Sequence, residues 1–265
     1  MTRLCRFVAL FPLQSPIVSM NRQFCVAFLP ALADPDSISE SDIVVTDVLR
    51  ATTSIIATLA NGATQVIPTP EIRSGIDLKK RLGPNSILGG ERKGVIIPGY
   101  DQGNSPREYT CELVFGRTVI LCTSNGTVAM ESCRGARRVL IGAFVNLSAV
   151  AEALKTSERV TVVCAGTDRK LTSEDILFAG ALAERMGHKL TDAKLDDSAR
   201  IALAWWMSAS RQFESGQSLT GLLGQSAGGR NLLKLKYDAD VEFCARIDSI
   251  PVVPQLHLDE WSIRI

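Results

Sequence analysis

The chain has 265 residues, of which 46% are hydrophobic and 22% charged, and this balance excludes a disordered or fibrous protein. Its formal net charge is +1, so no overall basic field would recruit nucleic acid or a membrane surface. The two histidines make a multi-histidine metal centre or a Ser-His-Asp hydrolase difficult to build. The seven cysteines include no C-x-x-C spacing, which fits unpaired thiols in a reducing cytoplasm. We therefore expect a cytoplasmic protein with neither a nucleic-acid nor a membrane partner.

The first nineteen residues differ from the rest of the chain. Arg3 and Arg6 precede an apolar stretch that imitates a signal peptide, but Pro12 and Pro16 interrupt the stretch and no A-x-A cleavage site follows. We interpret residues 1–19 as a poorly ordered extension. Residues 20–265 are then the α/β domain, either one unit or two similar halves.

From residue 24 onward, short β-rich runs alternate with helical segments. The predicted strands are residues 42–46, 66–68, 118–122, 139–143 and 160–165. The predicted helices are residues 53–61, 127–133, 173–186 and 196–213, whereas the Gly/Ser-rich segments 215–222 and 227–231 predict exposed loop or weak helix. The alternation indicates an α/β fold, with a mostly parallel sheet flanked by helices and built from repeated βαβ units.

An internal similarity supports the repetition. Aligning residues 51–54 with 124–127 also brings 61–63 onto 134–136, so that strand, polar turn, helix and next strand coincide. The identity is low, which leaves open two similar βαβ units or a gene duplication. In either case two polar loops take matching positions at the carboxyl ends of strands, where open α/β sheets bind ligands.

Two polar segments in the first half of the chain carry candidate chemistry. Segment 46–53 (TDVLRATT) places Asp47 and Arg50 between a strand and a helix start, a natural anion site, although Asp47 could merely cap a turn and Arg50 could be solvated. Segments 89–94 and 99–108 combine dense glycine with polar side chains, as a ligand loop or a plain surface loop would. These two segments contribute Glu91, Arg92, Asp101, Asn104 and Ser105.

Two later segments add further candidates. Segment 122–127 (CTSNGT) could cradle a phosphate with Asn125, Gly126 and Thr127, but it lacks the lysine of a nucleotide P-loop. Segment 164–168 (CAGTD), followed by 171–175 (LTSED), offers Glu174 and Asp175 either as metal ligands or as acids in a helix first turn.

Together the four segments favour metal-assisted phosphoryl chemistry. Carboxylates without histidine suit a hard cation, chiefly Mg²⁺, and arginines can clamp phosphate or sulfonate oxygens. Two more specific catalytic motifs have weaker support in the sequence. Cys111 and Arg117 have C-x5-R spacing but enclose an apolar ELVFG, and an aspartyl-nucleophile D-x-D motif would need an acid at Leu49.

The same segments resemble the 2-phosphosulfolactate phosphatases. The resemblance rests on 47–54 (DVLRATTS), 90–93 (GERK), 99–106 (GYDQGNSP), 123–127 (TSNGT) and 164–166 (CAG) with 173–175 (SED), and it extends from about residue 23 to 256. It implies a Mg²⁺-dependent phosphatase that converts 2-phosphosulfolactate to 3-sulfolactate and phosphate. In methanogens this step belongs to coenzyme M biosynthesis, but such proteins also occur in bacteria that do not make coenzyme M.

The resemblance also implies roles for individual residues. The residues that the resemblance places around the site are Asp47, Arg50, Glu91, Arg92, Asn104, Ser105, Asn125, Thr127, Glu174 and Asp175. On this basis we expect catalytic roles for Asp47, Arg50, Asp101 and Asp175, and substrate binding by Arg92, Asn104, Ser105, Asn125, Gly126 and Thr127. We expect some of Asp47, Glu91 and Glu174 to hold Mg²⁺. Water would attack phosphorus in line, and Arg50→Ala should abolish activity without unfolding the protein. Two alternatives stay open, a binding protein for an anionic metabolite and a phosphatase for another small ester. A homo-oligomer is compatible with each.

Overall fold

The computed structural model describes residues 22–213 and 216–265, so the predicted extension at residues 1–19 lies outside the described part. Within the described residues, no helix has the length and apolar character needed to cross a membrane. The six cysteines described there form no disulfide, as expected from their spacing.

Most predicted elements are present with nearly the predicted bounds. The strands are β1 (Gln23–Ala27), β2 (Asp42–Thr46), β3 (Gln65–Thr69), β4 (Ser86–Arg92), β5 (Val95–Ile96), β6 (Thr118–Cys122), β7 (Arg138–Gly142), β8 (Arg159–Cys164), β9 (Gln255–His257) and β10 (Ser262–Arg264). The helices are α1 (Pro35–Glu40), α2 (Ala51–Ala60), α3 (Ile72–Leu82), α4 (Cys111–Val114), α5 (Gly126–Glu131), α6 (Leu147–Ala153), α7 (Ser173–Arg185), α8 (Asp197–Arg211), α9 (Leu219–Gln225), α10 (Ala227–Lys234) and α11 (Asp238–Cys244).

The strands form one ten-stranded sheet in the order β1-β8-β2-β7-β9-β10-β3-β6-β4-β5. Strands β1, β8, β2 and β7 are mutually parallel and constitute the first half-sheet. Strands β3, β6 and β4 are also parallel and constitute the second half-sheet. The antiparallel pair β9–β10 joins the two half-sheets. The predicted α/β fold with a mostly parallel sheet is therefore confirmed.

The internally similar segments correspond to the units β2-α2-β3 and β6-α5-β7. Each unit begins in one half-sheet and ends in the other, because β2 pairs with β7 whereas β3 pairs with β6. The two strands of a unit are therefore not neighbours, unlike those of an ordinary βαβ unit. This exchange places α2 and α5 in one apolar core with both half-sheets, including Ile43, Ile55, Val66 and Met130.

Helices also cover the outer faces of the half-sheets. A second core cluster packs α7 and α8 against the first half-sheet and includes Phe178 and Trp206, whereas the neighbouring Trp205 is exposed. On the second half-sheet, Ile76 of α3 packs against a third apolar cluster that includes Leu88 and Ile120.

The Gly/Ser-rich segments 215–222 and 227–231 were expected to be exposed loop or weak helix, and the helix alternative is confirmed for residues 219–222 and 227–231. Ser218 and Ser226 are the N-caps of α9 and α10, and Leu223 is fully buried. A Cβ added to Gly229 would lie 1.9 Å from the Leu223 carbonyl oxygen. The glycine therefore lets two helices approach closely, although the same residue type is typical of loops.

Candidate active site

The loops that follow β2, β4 and β6 meet at one place. Glu91, at the end of β4, accepts a hydrogen bond from the Ser124 backbone N–H beyond β6 (2.9 Å). Gly126 at the start of α5 packs against Ala51 at the start of α2, and an added Cβ would lie only 2.7 Å from the Ala51 Cβ and 3.0 Å from Asp47 Oδ2. Glycine at position 126 thus allows the two helix starts to touch beside Asp47.

Asp47 is buried where these loops meet, with 7% of its surface exposed. Its carboxylate accepts hydrogen bonds from the backbone N–H groups of Ala51 (3.3 Å) and Gly126. Burial raises the pKa of Asp47 to about 7, and the negative charges of Glu91 and Glu174 act in the same direction. A carboxyl group with this pKa can accept or release a proton near neutral pH.

Glu174 lies in the first turn of α7 and is only 2% exposed. Its Oε2 has no hydrogen-bond partner, and Gly228 of α10 leaves room for Oε1, since an added Cβ there would lie 2.5 Å from that oxygen. Burial raises the pKa of Glu174, opposed by hydrogen bonds and by the charge of Arg230. A buried carboxylate oxygen without a partner is costly unless a proton or a cation meets it.

Asp175, the next residue, is bonded through both of its oxygens. Oδ1 accepts the Val48 N–H (2.9 Å), and Oδ2 accepts the Gly166 N–H (3.0 Å) and the Thr172 hydroxyl (3.3 Å). Burial and the charges of Glu174 and Asp47 raise its pKa. Asp175 therefore joins the loops after β2 and β8 and has no oxygen left without a partner.

Glu91 has a similar connecting role. Its Oε1 accepts the Ser124 N–H, and its Oε2 accepts the Gly94 N–H at 2.7 Å. It consequently fixes the turn after β4 against the loop after β6.

Arg50 is buried and its guanidinium is held on three sides. Nη1 forms an ion pair with Asp240 Oδ2 (2.6 Å), Nη2 donates to the Gly94 carbonyl (2.9 Å), and Cζ lies 4.4 Å from the centre of the Tyr237 ring. Removing the guanidinium would leave the Asp240 carboxylate buried without its cation, which is strongly destabilising. We therefore expect Arg50→Ala to lower the free energy of unfolding as well as the activity, and whether the variant stays folded remains a prediction.

The predicted substrate-binding residues of the segments around β4 have different partners, and of these only Ser105 bonds to the ion-pair partner of Arg50. Arg92 donates to the carbonyls of Glu91 (2.8 Å) and Pro70 (3.0 Å). Asn104 is buried and its Oδ1 has no partner, so it offers an acceptor. Ser105 donates its hydroxyl to Asp240 Oδ1 at 2.7 Å.

The polar groups at the start of α5 form hydrogen bonds to neighbouring segments of the protein. Asn125 Oδ1 accepts the Asp168 N–H (3.1 Å), the Thr127 N–H donates to the Thr123 hydroxyl (3.2 Å), and the Gly126 N–H donates to Asp47. The N–H groups of Gly126 and Thr127 thus already have partners in the protein, and phosphate binding by residues 125–127 stays a prediction.

Asp101 is not brought into the group. Its Oδ2 accepts hydrogen bonds from Lys79 Nζ (2.8 Å) and the Leu88 N–H (2.8 Å), and its side chain is 48% exposed. Partial burial raises the pKa of Asp101, but these hydrogen bonds outweigh burial and the net direction is downward. An ion-paired carboxylate with a lowered pKa is a poor proton acceptor.

The carboxylates of the site differ in their fit to a metal ion. Across residues 22–213 and 216–265, no three His, Cys, Asp or Glu side chains are placed to hold one together. Mg²⁺, however, is usually held by one or two carboxylates together with substrate phosphates and water. Glu174, with its unpartnered oxygen and the charge of Asp47 nearby, fits that pattern better than Glu91, whose two oxygens each accept a backbone N–H.

Three residues of this site come from the C-terminal part of the chain and were not predicted from the sequence. Gly228 borders Glu174, while Tyr237 and Asp240 contact Arg50. Asp240 is separated from Arg50 by 190 positions and belongs to no recognisable motif. The available signal was weak, consisting of two acids in the first turn of a short helix.

Comparisons with known proteins show the family to which the chain is similar. A family model described as 2-phosphosulpholactate phosphatase matches residues 28–259. A protein of Caldanaerobacter subterraneus is 38% identical over 221 residues, covering 83% of this chain and 89% of its own length. One of Pseudothermotoga lettingae is 38% identical over 221 residues, covering 83% and 92%, and one of Thermotoga petrophila is 39% identical over 214 residues, covering 80% and 88%. All three are named as probable 2-phosphosulfolactate phosphatases.

Proposed function

Because this chain belongs to the 2-phosphosulfolactate phosphatase family, we propose that it hydrolyses the phosphate ester of 2-phosphosulfolactate, or of a similar small anionic ester, to 3-sulfolactate and phosphate. One observation supports catalysis over mere binding. Asp47 and Glu174 are both buried, and burial, together with the negative charges of Glu91 and Glu174, raises the pKa of Asp47 to about 7 in a site that also contains Arg50. A protein that only binds an anion gains nothing from negative charges beside its ligand.

Dependence on Mg²⁺ is part of the proposal. Glu174 would hold the ion through its unpartnered oxygen, with substrate phosphate and water completing the coordination. When bound, Mg²⁺ polarises the phosphoryl group and offsets the charge that develops on it.

The protein's own groups account for the remaining requirements. Arg50 has N–H donors left after its bonds to Asp240 and Gly94, and these bind the phosphoryl oxygens. Asp47 takes a proton from the attacking water as the P–O ester bond breaks and the departing alkoxide is protonated from solvent. Asp47, which accepts two hydrogen bonds, is favoured for this role over Asp101, which is ion-paired with Lys79, and over Asp175, which accepts three hydrogen bonds.

The test is phosphate release from 2-phosphosulfolactate, with phosphoglycolate and phospholactate in parallel, in Mg²⁺ and in excess EDTA. We expect Mg²⁺-dependent turnover that prefers the sulfonate, abolished in Asp47→Asn and retained in Asp101→Asn. Equal turnover of all three esters would favour a phosphatase for another substrate. Tight binding without any turnover would instead favour the binding-protein alternative.

We propose the cellular compartment, the pathway and the oligomeric state on the same basis. Unpaired thiols at all six described cysteines support a reducing compartment such as the cytoplasm. A place in coenzyme M biosynthesis follows only if 2-phosphosulfolactate is the preferred ester, and a homo-oligomer stays a prediction.

A further inference from the structure

We propose that Asp240 is a positioning residue that sets the orientation of Arg50 toward the substrate phosphate, an inference that rests on the function proposed above. Asp240 lies in the first turn of α11 and is 1% exposed. It meets the Arg50 guanidinium at 2.6 Å, and both side chains are almost completely buried.

The geometry fixes the guanidinium in its plane and about its axis. Asp240 occupies one N–H of Nη1, the Gly94 carbonyl occupies one N–H of Nη2, and the Tyr237 ring lies against the guanidinium face. A guanidinium has five N–H groups in a rigid planar fork, so three remain for an anion and their directions are set by these contacts. The arrangement therefore prepares Arg50 for binding a phosphoryl group before substrate arrives.

Asp240 also reaches the segment after β4. Its second oxygen, Oδ1, accepts the hydroxyl of Ser105, whose neighbour Asn104 has a buried carbonyl oxygen without a partner. One carboxylate thus connects the turn after β2, the predicted substrate-binding segment and the C-terminal helices. Arg107 is a poor substitute partner, since its Nη1 lies 4.0 Å from Asp240 Oδ1 and its side chain is 56% exposed.

A purely structural ion pair would leave a different signature from a positioning one. If the pair only stabilised the fold, Asp240→Asn would lower the unfolding midpoint, and the protein that remained folded would have normal kinetics. If Asp240 orients Arg50, the folded variant binds phosphate weakly and turns over slowly. Asparagine can still accept the Ser105 hydroxyl, which makes this substitution specific for the Arg50 contact.

The experiment compares Asp240→Asn with Asp238→Asn, a matched control in the same helix turn whose side chain is exposed. We measure kcat/KM for 2-phosphosulfolactate and, by calorimetry, the affinity for inorganic phosphate, both well below the unfolding midpoint. We expect kcat/KM to fall about 100-fold in Asp240→Asn, as for a displaced positioning group, and phosphate affinity to fall with it. Asp238→Asn should match the wild type. In an Arg50→Lys background, Asp240→Asn should cost little more, because the two residues act as one unit.

The outcomes distinguish a wrong role for Asp240 from a wrong proposed function. Active wild-type protein in which Asp240→Asn and Asp238→Asn behave alike would overturn the role of Asp240 and leave the phosphatase proposal intact. Wild-type protein that neither hydrolyses an ester nor binds phosphate would overturn the proposed function and the positioning role with it. If Asp240→Asn does not fold, Asp240→Glu provides the decision, because it keeps the negative charge but displaces the carboxylate by one methylene group relative to the Arg50 guanidinium. It should lower phosphate affinity, and unchanged affinity would count against the inference.

Discussion

Asp47→Asn should stabilise the protein at alkaline pH while abolishing its activity. The pKa of Asp47 is raised in the folded protein from 3.8 to about 7, so the folded state binds the proton more tightly than the unfolded chain. Its contribution to stability is therefore complete below the unfolded pKa and is lost as pH rises through about 7. At about 1.4 kcal/mol for each pKa unit, the ionised group disfavours folding by about 4 kcal/mol above that range.

Asparagine removes this electrostatic penalty but weakens the hydrogen bonds that the side chain accepts. Its single acceptor oxygen cannot serve the N–H groups of both Ala51 and Gly126 as well as a carboxylate does, which costs about 1 kcal/mol. The expected net stabilisation is thus about 3 kcal/mol at about pH 8, and it should vanish near pH 4.

Urea unfolding in EDTA at these two pH values measures the effect. Asp101→Asn is the control with the opposite sign, because the pKa of Asp101 is lowered and its removal should cost stability at the higher pH. A difference between Asp47→Asn and the wild type that is equal at both pH values would refute the electrostatic reasoning.

Three further substitutions test the site. Arg50→Ala should lower the free energy of unfolding by about 3–5 kcal/mol in urea titrations, because it leaves Asp240 buried and unpaired, whereas loss of activity at full stability would contradict the ion pair. Gly126→Ala should abolish phosphate release because its Cβ has no room against α2, while Gly135→Ala, where the space is open, should not; equal activities would contradict the close approach. Glu174→Gln should weaken Mg²⁺ binding measured by calorimetry, and unchanged affinity would assign the ion to another ligand.

Local pattern was sufficient for most of the fold and insufficient where glycine has a packing role. Buried strands such as residues 118–122 are continuous apolar runs bounded by polar residues, and their bounds are found correctly. Segment 89–94, by contrast, was interpreted as a loop, whereas Gly89 and Gly90 lie within β4. An added Cβ on Gly89 would lie 2.0 Å from the Tyr109 hydroxyl oxygen, so this glycine reflects a close approach in a strand.

For the site, residue type was predictable but the bonding state of each side chain was not. Glu174 and Asp175 are adjacent acids with the same signal in the sequence, yet one has an oxygen without a partner and the other is bonded through both. That difference depends on which backbone N–H groups of distant loops reach each carboxylate, which no local pattern encodes. Asp240 shows the same limit over a separation of 190 positions.

The order of strands in the first half-sheet has a consequence for biosynthesis. Strands β1 and β2 are made early, but β8 lies between them, and it pairs Gln23 with Arg159 and Asp42 with Val160. As the chain leaves the ribosome, both strands must wait with open edges until more than one hundred further residues have been made. Open β-edges are prone to aggregation. A nascent chain that ends before about residue 164, where β8 is complete, should therefore depend on chaperones for its solubility.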